Sequence, residues 1–312
     1  MQPVVTLERL SMEYITGFWR NKRVKSLEAV SLEVYEGEVF GFLGHNGAGK
    51  TTTLKILMRI VYPTGGTARI LGRPLDDIAM RRRIGYLPEA PYFYDYLTGR
   101  ELLDYFGRLC GLNAEGRARR IADMLELVGL RHAADRPLRK YSKGMLQRIG
   151  IAQSILHDPE VIFLDEPMTG LDPIGRREVR DIIAGLRDRG KTVFFSTHIL
   201  SDVEALCDRV AILKQGRRVA YGTLAELQAG RSATLEIVAT ETTPETIQAL
   251  ERHASRLRKT AAGLHCELKS AERVGDAIAE LRRHGGRLVS VAPVKSALEE
   301  FFVREDGAAE IV

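Results

Sequence analysis

Gly44-His45-Asn46-Gly47-Ala48-Gly49-Lys50-Thr51 is the most informative segment of this sequence. It follows the apolar run Val39–Leu43 and precedes the run Thr52–Met58, so a buried strand, a glycine-rich loop and a helix are predicted in succession. Glycines let backbone N–H groups turn toward an anion, and the start of the helix adds partial positive charge. The stretch therefore predicts a phosphate-binding loop (P-loop) in an α/β fold.

The residues of this loop are expected to contact a nucleotide, and two of them have specific tasks. The ammonium group of Lys50 would reach the β and γ phosphates, which makes it a predicted catalytic residue as well, and the hydroxyl of Thr51 would bind Mg²⁺. The predicted nucleotide contacts are Gly44, His45, Asn46, Gly47, Ala48, Gly49, Lys50, Thr51 and Thr52.

Two further strands are predicted to bring carboxylate and imidazole groups to the same place. The apolar run Val161–Leu164 is typical of a strand buried on both faces of a parallel sheet, and Asp165 and Glu166 follow it directly. Asp165 is placed to bind Mg²⁺ through water, and Glu166 to accept a proton from the attacking water or to orient it. The strand Thr192–Thr197 ends at His198, which can hydrogen-bond the γ phosphate and the general base.

The composition is that of a globular protein of about two domains. Of the 312 residues, 45% are hydrophobic and 28% charged, and no apolar run is long enough to span a membrane. The N-terminus lacks a signal-peptide layout, so folding in the cytosol is expected, and the three scattered cysteines are predicted to be free thiols. The net charge is +5, with arginines clustered at 81–83 and 117–120. Because no aromatic residues interleave them, solvated helix faces are favoured over nucleic-acid or anionic-lipid contacts.

A second anion site is predicted at Ser142 and Gly144. The run Leu146–Leu156 has the apolar spacing of an amphipathic helix, so both residues lie at a helix N-terminus. Because one phosphate group needs only one such site, we expect two chains to share each nucleotide.

The order of these motifs resembles that of the ATP-binding cassette (ABC) ATPases, whose signature motif is LSGGQ. The resemblance covers residues 4–225 and implies a P-loop ATPase with a β-rich N-terminal part and a helical subdomain. It also implies a head-to-tail dimer, a homodimer or a pair with a similar subunit, in which Ser142 and Gly144 of one subunit close over ATP held by Lys50 of the other. By the same resemblance, Asp165 and Glu166 match the Walker B pair, residues 170–172 the D-loop and His198 the switch histidine.

The sequence departs from the family pattern at three positions. Glu89 stands where the family has the Q-loop glutamine, which touches Mg²⁺ and links the site to the membrane partner, and its carboxylate still offers an oxygen ligand. Lys143 and Met145 replace a glycine and the glutamine of the signature. Lys143 either adds positive charge near the γ phosphate or faces solvent.

The family also stacks an aromatic residue on adenine, upstream of the P-loop. Tyr14 fits the family spacing best, and Phe18 and Trp19 are the alternatives, because an apparent insertion from Ile15 to Lys25 blurs the register.

Among the cassettes, the pattern is similar to the ATPase subunits of type-2 ABC exporters. That resemblance implies ATP and Mg²⁺ as ligands, a separate membrane permease and a second ATPase subunit as partners, and a peripheral location on the cytoplasmic side of the cell membrane. The cargo stays open, because it would touch the permease. Tyr92, Phe93 and Tyr94 precede a helix opened by a capping box at Thr98 and Glu101. We predict that these three aromatics help to seat a cytoplasmic helix of the permease, with packing inside the domain as the alternative.

The domains are predicted at residues 1–229, with a helical subdomain at 91–140, and at residues 230–312. In the second, strand signals at 233–238, 263–268 and 287–291 alternate with helix signals at 244–257, 274–284 and 296–304. This order predicts a small α+β domain of ferredoxin-like type. Residues 299–302, two glutamates followed by two phenylalanines, suggest an amphipathic cap.

Two other functions remain as alternatives to transport. One is a soluble cassette ATPase that acts on nucleic acid or ribosomes, and the other is a nucleotide-binding regulator that does not turn over. The sequence has neither a second P-loop nor long heptad repeats, so no nucleic-acid partner is expected. The presence of Lys50, Asp165, Glu166 and His198 argues against a regulator without turnover.

Overall fold

The computed structural model describes residues 2–16, 22–228, 235–260, 262–268 and 271–293. The chain divides into two compact units, residues 1–224 and residues 225–312. This division comes a few residues before the predicted boundary between 229 and 230.

The first unit combines two sheets with a helical segment. Its strands are β1 (Pro3–Thr16), β2 (Lys22–Tyr35), β3 (Val39–Gly44), β4 (Gly65–Ile70), β5 (Arg73–Pro74), β6 (Ile84–Leu87), β7 (Val161–Leu164), β8 (Thr192–Thr197), β9 (Arg209–Lys214) and β10 (Arg217–Thr223). Its helices are α1 (Lys50–Leu57), α2 (Ile78–Arg81), α3 (Gly99–Leu109), α4 (Ala114–Leu127), α5 (Lys143–Ile155), α6 (Pro173–Asp188) and α7 (Leu200–Leu206). Helix α8 (Leu224–Gln228) lies across the division.

The larger sheet places the motif-bearing loops side by side. Its strand order is β10-β9-β3-β8-β7-β6, and the five strands from β9 to β6 are parallel. Every residue of β3, β7 and β8 is buried, as expected for strands covered on both faces. Because parallel strands end at one edge of a sheet, the loops after β3, β8, β7 and β6 lie next to one another.

Aromatic side chains fill the core beside this sheet. The ring of Phe194 lies 5.2 Å from the ring centroids of Phe40 and Phe42 and 5.6 Å from that of Phe163. All four side chains are fully buried. They come from three neighbouring strands, so this cluster fixes the strands that carry the site.

The smaller sheet is antiparallel, with strand order β2-β1-β4-β5. The described part of the predicted insertion Ile15–Lys25 belongs to the paired ends of β1 and β2, because Thr16 pairs with Lys22 and Tyr14 with Val24. This sheet, whose strands lie within residues 3–74, corresponds to the predicted β-rich N-terminal part.

The helical segment begins with the predicted capping box. The backbone N–H of Glu101 donates to Thr98 Oγ1 over 3.2 Å, and the backbone N–H of Thr98 donates to Glu101 Oε2 over 2.8 Å. These two bonds satisfy N–H groups that the first turn of α3 leaves without partners. Helices α3, α4 and α5 pack against one another.

The second unit contains β11 (Leu235–Thr240), α9 (Pro244–Glu251), β12 (Arg256–Thr260), β13 (Gly263–Leu268), α10 (Ala271–Arg283) and β14 (Arg287–Pro293). Its four strands form an antiparallel sheet of order β12-β13-β11-β14. The predicted helix 244–257 was too long: α9 ends at Glu251, and the chain continues as β12. The predicted helix 296–304 and the cap at 299–302 lie outside the described residues.

Among the described residues, the helices are all too short or too polar to cross a bilayer. The three cysteines are free, as predicted.

Candidate nucleotide-binding and catalytic site

The loops at the end of the parallel strands surround a cavity of about 330 Å³. Residues of the P-loop, the start of α1, the loop after β6 and the end of β7 line it. They are Ser26, Asn46, Gly47, Gly49, Lys50, Thr51, Thr52, Glu89 and Glu166. The structure therefore brings together most of the P-loop, Glu89 and Glu166.

The P-loop depends on glycine for its backbone path. Gly47 and Gly49 have positive φ angles of 80° and 106°. A Cβ atom on Gly49 would lie 2.6 Å from the carbonyl oxygen of Ser26, so the loop is held against β2 without room for a side chain. The hydroxyl of Ser26 also donates to Thr52 Oγ1 over 2.8 Å. Strand β2 thus supports the loop from outside the motif.

Lys50 is buried at the base of this loop. Its Nζ donates to the carbonyl oxygens of Gly44 and His45 over 2.7 and 3.2 Å, and it lies 3.1 Å from Oε1 of Glu166. Only 5% of the lysine side chain and 6% of the glutamate side chain are exposed. The two charges therefore compensate each other in a place with little water.

Glu166 is held by three side chains and an unusual backbone angle. Its Oε2 accepts a hydrogen bond from Thr169 Oγ1 over 2.8 Å and lies 2.9 Å from His198 Nδ1. Burial acts to raise the pKa of Glu166, but the hydrogen bond from Thr169 and the contacts with Lys50 and His198 together outweigh it, so the pKa lies below its ordinary value. The φ of Glu166 is 49°, a conformation that non-glycine residues seldom adopt. Such a conformation is found most often at functional sites.

Asp165 is bound to the neighbouring strand. Its Oδ1 accepts hydrogen bonds from Ser196 Oγ over 2.6 Å and from Thr51 Oγ1 over 3.3 Å. Burial, together with the nearby charges of Glu89 and Glu166, raises the pKa of Asp165 above its ordinary value, against the lowering effect of these two hydrogen bonds. Its Oδ2 is buried and has no hydrogen-bond partner among the described residues.

This orphaned oxygen and the hydroxyl of Thr51 fit a small hard cation. Mg²⁺ prefers oxygen ligands and usually binds through one or two carboxylates completed by substrate phosphates and water. Glu89, which lines the cavity, offers a further carboxylate. Within the described ranges, the structure contains no cluster of three His, Cys, Asp or Glu side chains that would hold a metal alone. The residues present therefore fit Mg²⁺ that arrives with a nucleotide.

Other predicted site residues lie away from this cavity. Tyr14, on β1, is partly buried against the core and does not line the cavity. Phe18 and Trp19 lie outside the described residues. Ser142 caps α5 by accepting a hydrogen bond from the backbone N–H of Met145 over 3.2 Å, and neither Ser142 nor Gly144 lines the cavity.

Lys143 is exposed, and its side chain lies against the segment that contains Gly170. A Cβ atom placed on Gly170 would lie 2.0 Å from Lys143 Nζ, so the lysine side chain covers this glycine. Gly170 also has a φ of 70°. The signature segment and the D-loop segment of the same chain are thus in contact.

Sequence reasoning missed three residues that hold the site together: Ser26, Thr169 and Ser196. Ser196 accepts a hydrogen bond from the backbone N–H of Glu166 over 2.9 Å while it donates to Asp165. A serine inside the apolar strand β8 was the available signal for it, because a buried hydroxyl needs a partner. Thr169 follows Glu166 at a turn-forming distance of three residues, and for Ser26 the sequence offered no signal.

Comparisons with known proteins agree with this geometry. Residues 27–169 match the ABC transporter family. An ABC transporter ATP-binding protein of Synechocystis is 46% identical over 97% of this chain and 84% of its own length. The chain belongs to the ABC transporter ATP-binding proteins.

Two further comparisons characterise this cassette. The bacitracin transport ATP-binding protein BcrA of Bacillus licheniformis is 43% identical over 62% of this chain and 63% of its own length. A solved dimeric cassette in a post-hydrolysis state, bound to ADP and Pi, superposes with a TM-score of 0.64 at 25% identity and covers 70% of this chain and 98% of its own. The first unit is thus an ABC-type P-loop ATPase that binds nucleotide. Its resemblance to type-2 exporter subunits, predicted from the sequence, is confirmed.

Proposed function

We propose that this cassette hydrolyses Mg-ATP as a dimer at the cytoplasmic face of a membrane and thereby drives export of a substrate through a separate permease. The observation that carries this proposal is that four side chains meet at one edge of the sheet: Lys50, Asp165, Glu166 and His198. Together they place a phosphate-binding cation beside a carboxylate that can act as a general base. Relatives named for transport, such as BcrA, support the coupling to a permease.

The hydrolysis step follows from these side chains. A water molecule attacks the γ phosphorus from the side opposite to ADP. A bond forms between the water oxygen and this phosphorus, the bond between the phosphorus and the bridging β–γ oxygen breaks, and ADP leaves. Glu166 accepts the proton of the attacking water, and Lys50 stabilises the charge on the phosphates. Thr51 and Asp165 would hold Mg²⁺, which supplies neutralising charge for the phosphates.

A dimer would give the predicted second anion site a role. Ser142 is exposed at the N-terminus of α5, and neither Ser142 nor Gly144 lines the cavity of its own chain. Ser142 and Gly144 of one subunit would complete the phosphate site of the other. The dimeric solved relative supports this arrangement.

A mixing experiment tests the shared site. Lys50→Ala and Ser142→Arg are each expected to lose most ATP hydrolysis as pure proteins. When the two variants are mixed, each mixed dimer contains two nucleotide sites. One site combines the two substitutions, and the other combines an intact Lys50 with an intact Ser142, so part of the activity should return. Phosphate release from the mixture, compared with the sum of the two pure proteins, is the measurement. A mixture that stays as inactive as its components would contradict the shared site.

An aromatic surface near the helical segment is the proposed contact with the permease. The side chain of Tyr92 is 93% exposed and that of Tyr94 is 47% exposed. Tyr94 also lies 5.9 Å from Tyr96 and 6.1 Å from Tyr105, measured between ring centroids. Exposed aromatic clusters of this kind are typical of interface cores. Phe93 differs, because its ring lies 3.3 Å from the position of a Cβ on Gly150 and so packs against α5.

The double variant Tyr92→Ala/Tyr94→Ala is therefore expected to weaken association with the permease and leave basal ATP hydrolysis unchanged. Co-expression with a neighbouring reading frame that encodes about six apolar stretches of membrane-spanning length, followed by detergent co-purification, measures this association. Tyr62→Ala is the matched control, because this tyrosine is 66% exposed and lies outside the aromatic surface. Unchanged co-purification of the double variant would remove this surface from the proposal.

The co-purification experiment also tests the alternative function, an ATPase that acts on nucleic acid or ribosomes. Co-sedimentation with ribosomes or DNA, without a membrane partner, would favour it. Several of the clustered arginines are paired with carboxylates: Arg83 with Glu160, Arg117 with Asp104 at 2.5 Å, Arg119 with Glu115 at 3.4 Å and Arg120 with Asp158 at 3.1 Å. Such pairing reduces the positive charge that these residues present to a polyanion.

A further inference from the structure

The two carboxylate oxygens of Glu166 have different surroundings. Oε2 faces two donors, Thr169 Oγ1 at 2.8 Å and His198 Nδ1 at 2.9 Å. Oε1 is buried and faces the ammonium group of Lys50 at 3.1 Å, with no hydrogen bond among the described residues. A general base needs one oxygen that can approach the attacking water. Oε2 is already bound by Thr169 and His198. Oε1 becomes available to the water when bound phosphates draw the ammonium group of Lys50 away from it.

We propose that Thr169 is a positioning residue for ATP hydrolysis, which holds Oε2 of Glu166 so that Oε1 is presented to the attacking water. The proposal rests on the proposed function, in which Glu166 is the base. The terminal torsion of a glutamate side chain is broad, so the carboxylate rotates freely unless its oxygens are bound. With the hydroxyl of Thr169 in place, two donors from different segments fix this rotation.

The backbone near Thr169 favours this contact. The backbone N–H of Thr169 donates to the carbonyl oxygen of Glu166 over 3.1 Å, so both ends of a tight turn are bonded. The left-handed φ of Glu166 belongs to the same turn. The backbone N–H of Glu166 is bound separately, by Ser196 Oγ over 2.9 Å. Removal of the Thr169 hydroxyl therefore leaves Oε2 held by His198 but not by Thr169, without releasing the end of β7.

The test compares Thr169→Val with Thr169→Ser in the full-length chain. Valine keeps the shape of threonine and removes the hydroxyl, whereas serine keeps the hydroxyl. We expect kcat of Thr169→Val to fall about tenfold, since a hydrogen bond to a charged group is lost, with KM for Mg-ATP changed by less than about twofold. Thr169→Ser should recover kcat to within about threefold of the unmodified protein.

Thr67→Val is the matched control. Thr67 Oγ1 also donates to a glutamate, Glu8 Oε2, over 3.1 Å, but on the exposed surface of the antiparallel sheet. The Thr67→Val variant should therefore have the kcat and KM of the unmodified protein. Thermal denaturation identifies any loss of folding in Thr169→Val, and Thr169→Ala then provides the second test of the hydroxyl.

Three results would overturn the proposal: a Thr169→Val variant with full kcat, a Thr169→Ser variant as slow as Thr169→Val, or an effect confined to KM. Glu166→Gln, measured in parallel, separates this proposal from the proposed function. Full hydrolysis by Glu166→Gln would refute the base itself, whereas an inactive Glu166→Gln beside a fully active Thr169→Val would refute only the role of Thr169.

Discussion

Replacement of Glu166 by glutamine is expected to lower kcat for ATP hydrolysis by about 100-fold or more and to leave Mg-ATP binding intact. Glutamine has the size of glutamate, but its amide cannot accept the proton of the attacking water. It also removes the negative charge that faces Lys50 at 3.1 Å, so the ammonium group becomes free to bind phosphates. Phosphate release at saturating Mg-ATP and equilibrium binding of a fluorescent ATP analogue measure the two effects.

Because hydrolysis would no longer reopen the dimer, Glu166→Gln should also accumulate as an ATP-bound dimer in gel filtration. Glu204→Gln is the matched control, since Glu204 is an exposed glutamate of α7. It should hydrolyse ATP at the unmodified rate and elute as the unmodified protein does. If Glu166→Gln hydrolysed ATP at the normal rate while Lys50→Ala no longer bound nucleotide, the general base would be another residue.

Replacement of Lys50 by alanine is expected to lower kcat/KM for ATP by about 100-fold to 1000-fold, because a preorganised charge in a buried site is lost. No other lysine or arginine lines the cavity within the part of the chain that the structure describes, so no neighbour would take over its charge. Nucleotide affinity and hydrolysis should therefore fall together. Initial rates across a range of Mg-ATP concentrations give kcat/KM directly.

The same variant also leaves the buried Oε1 of Glu166 without its cation. The free energy of unfolding of the nucleotide-free protein is therefore expected to fall by about 2 kcal/mol, which denaturant titration measures. Lys55→Ala is the control: Lys55 is exposed on the same helix, and its removal should change neither kcat/KM nor stability by much. Normal ATP affinity in Lys50→Ala would show that the loop holds phosphates through its backbone alone.

Local features of the fold could be predicted because their causes lie within a few residues. The strands at 161–164 and 192–197 were predicted with the bounds that the structure has, since both are short apolar runs buried on two faces. The capping box at Thr98 and Glu101 needs only residues three apart. In the second unit, the strand 256–260 was missed, because its alternating charged residues also suit the end of a helix.

The site could be predicted only in part. The sequence indicated Lys50, Thr51, Asp165, Glu166 and His198 from motifs that combine a strand, a loop and a fixed chemical task. It also placed Tyr92, Phe93 and Tyr94 in one group, although Phe93 packs inward against α5. The direction in which a loop side chain points depends on the neighbouring helix, which the loop sequence does not contain.

The motifs alone are enough to predict that a P-loop, a pair of carboxylates and a histidine each follow a buried strand. How they meet depends on the sheet, in which β3, β8 and β7 are neighbours although the loop after β3 is more than 100 residues along the chain from the loops after β7 and β8. From that order come the contact of Lys50 with Oε1 of Glu166 and the contact of His198 with Oε2. Hydrogen bonds require atoms within about 3 Å, a condition that long-range packing sets and local sequence cannot.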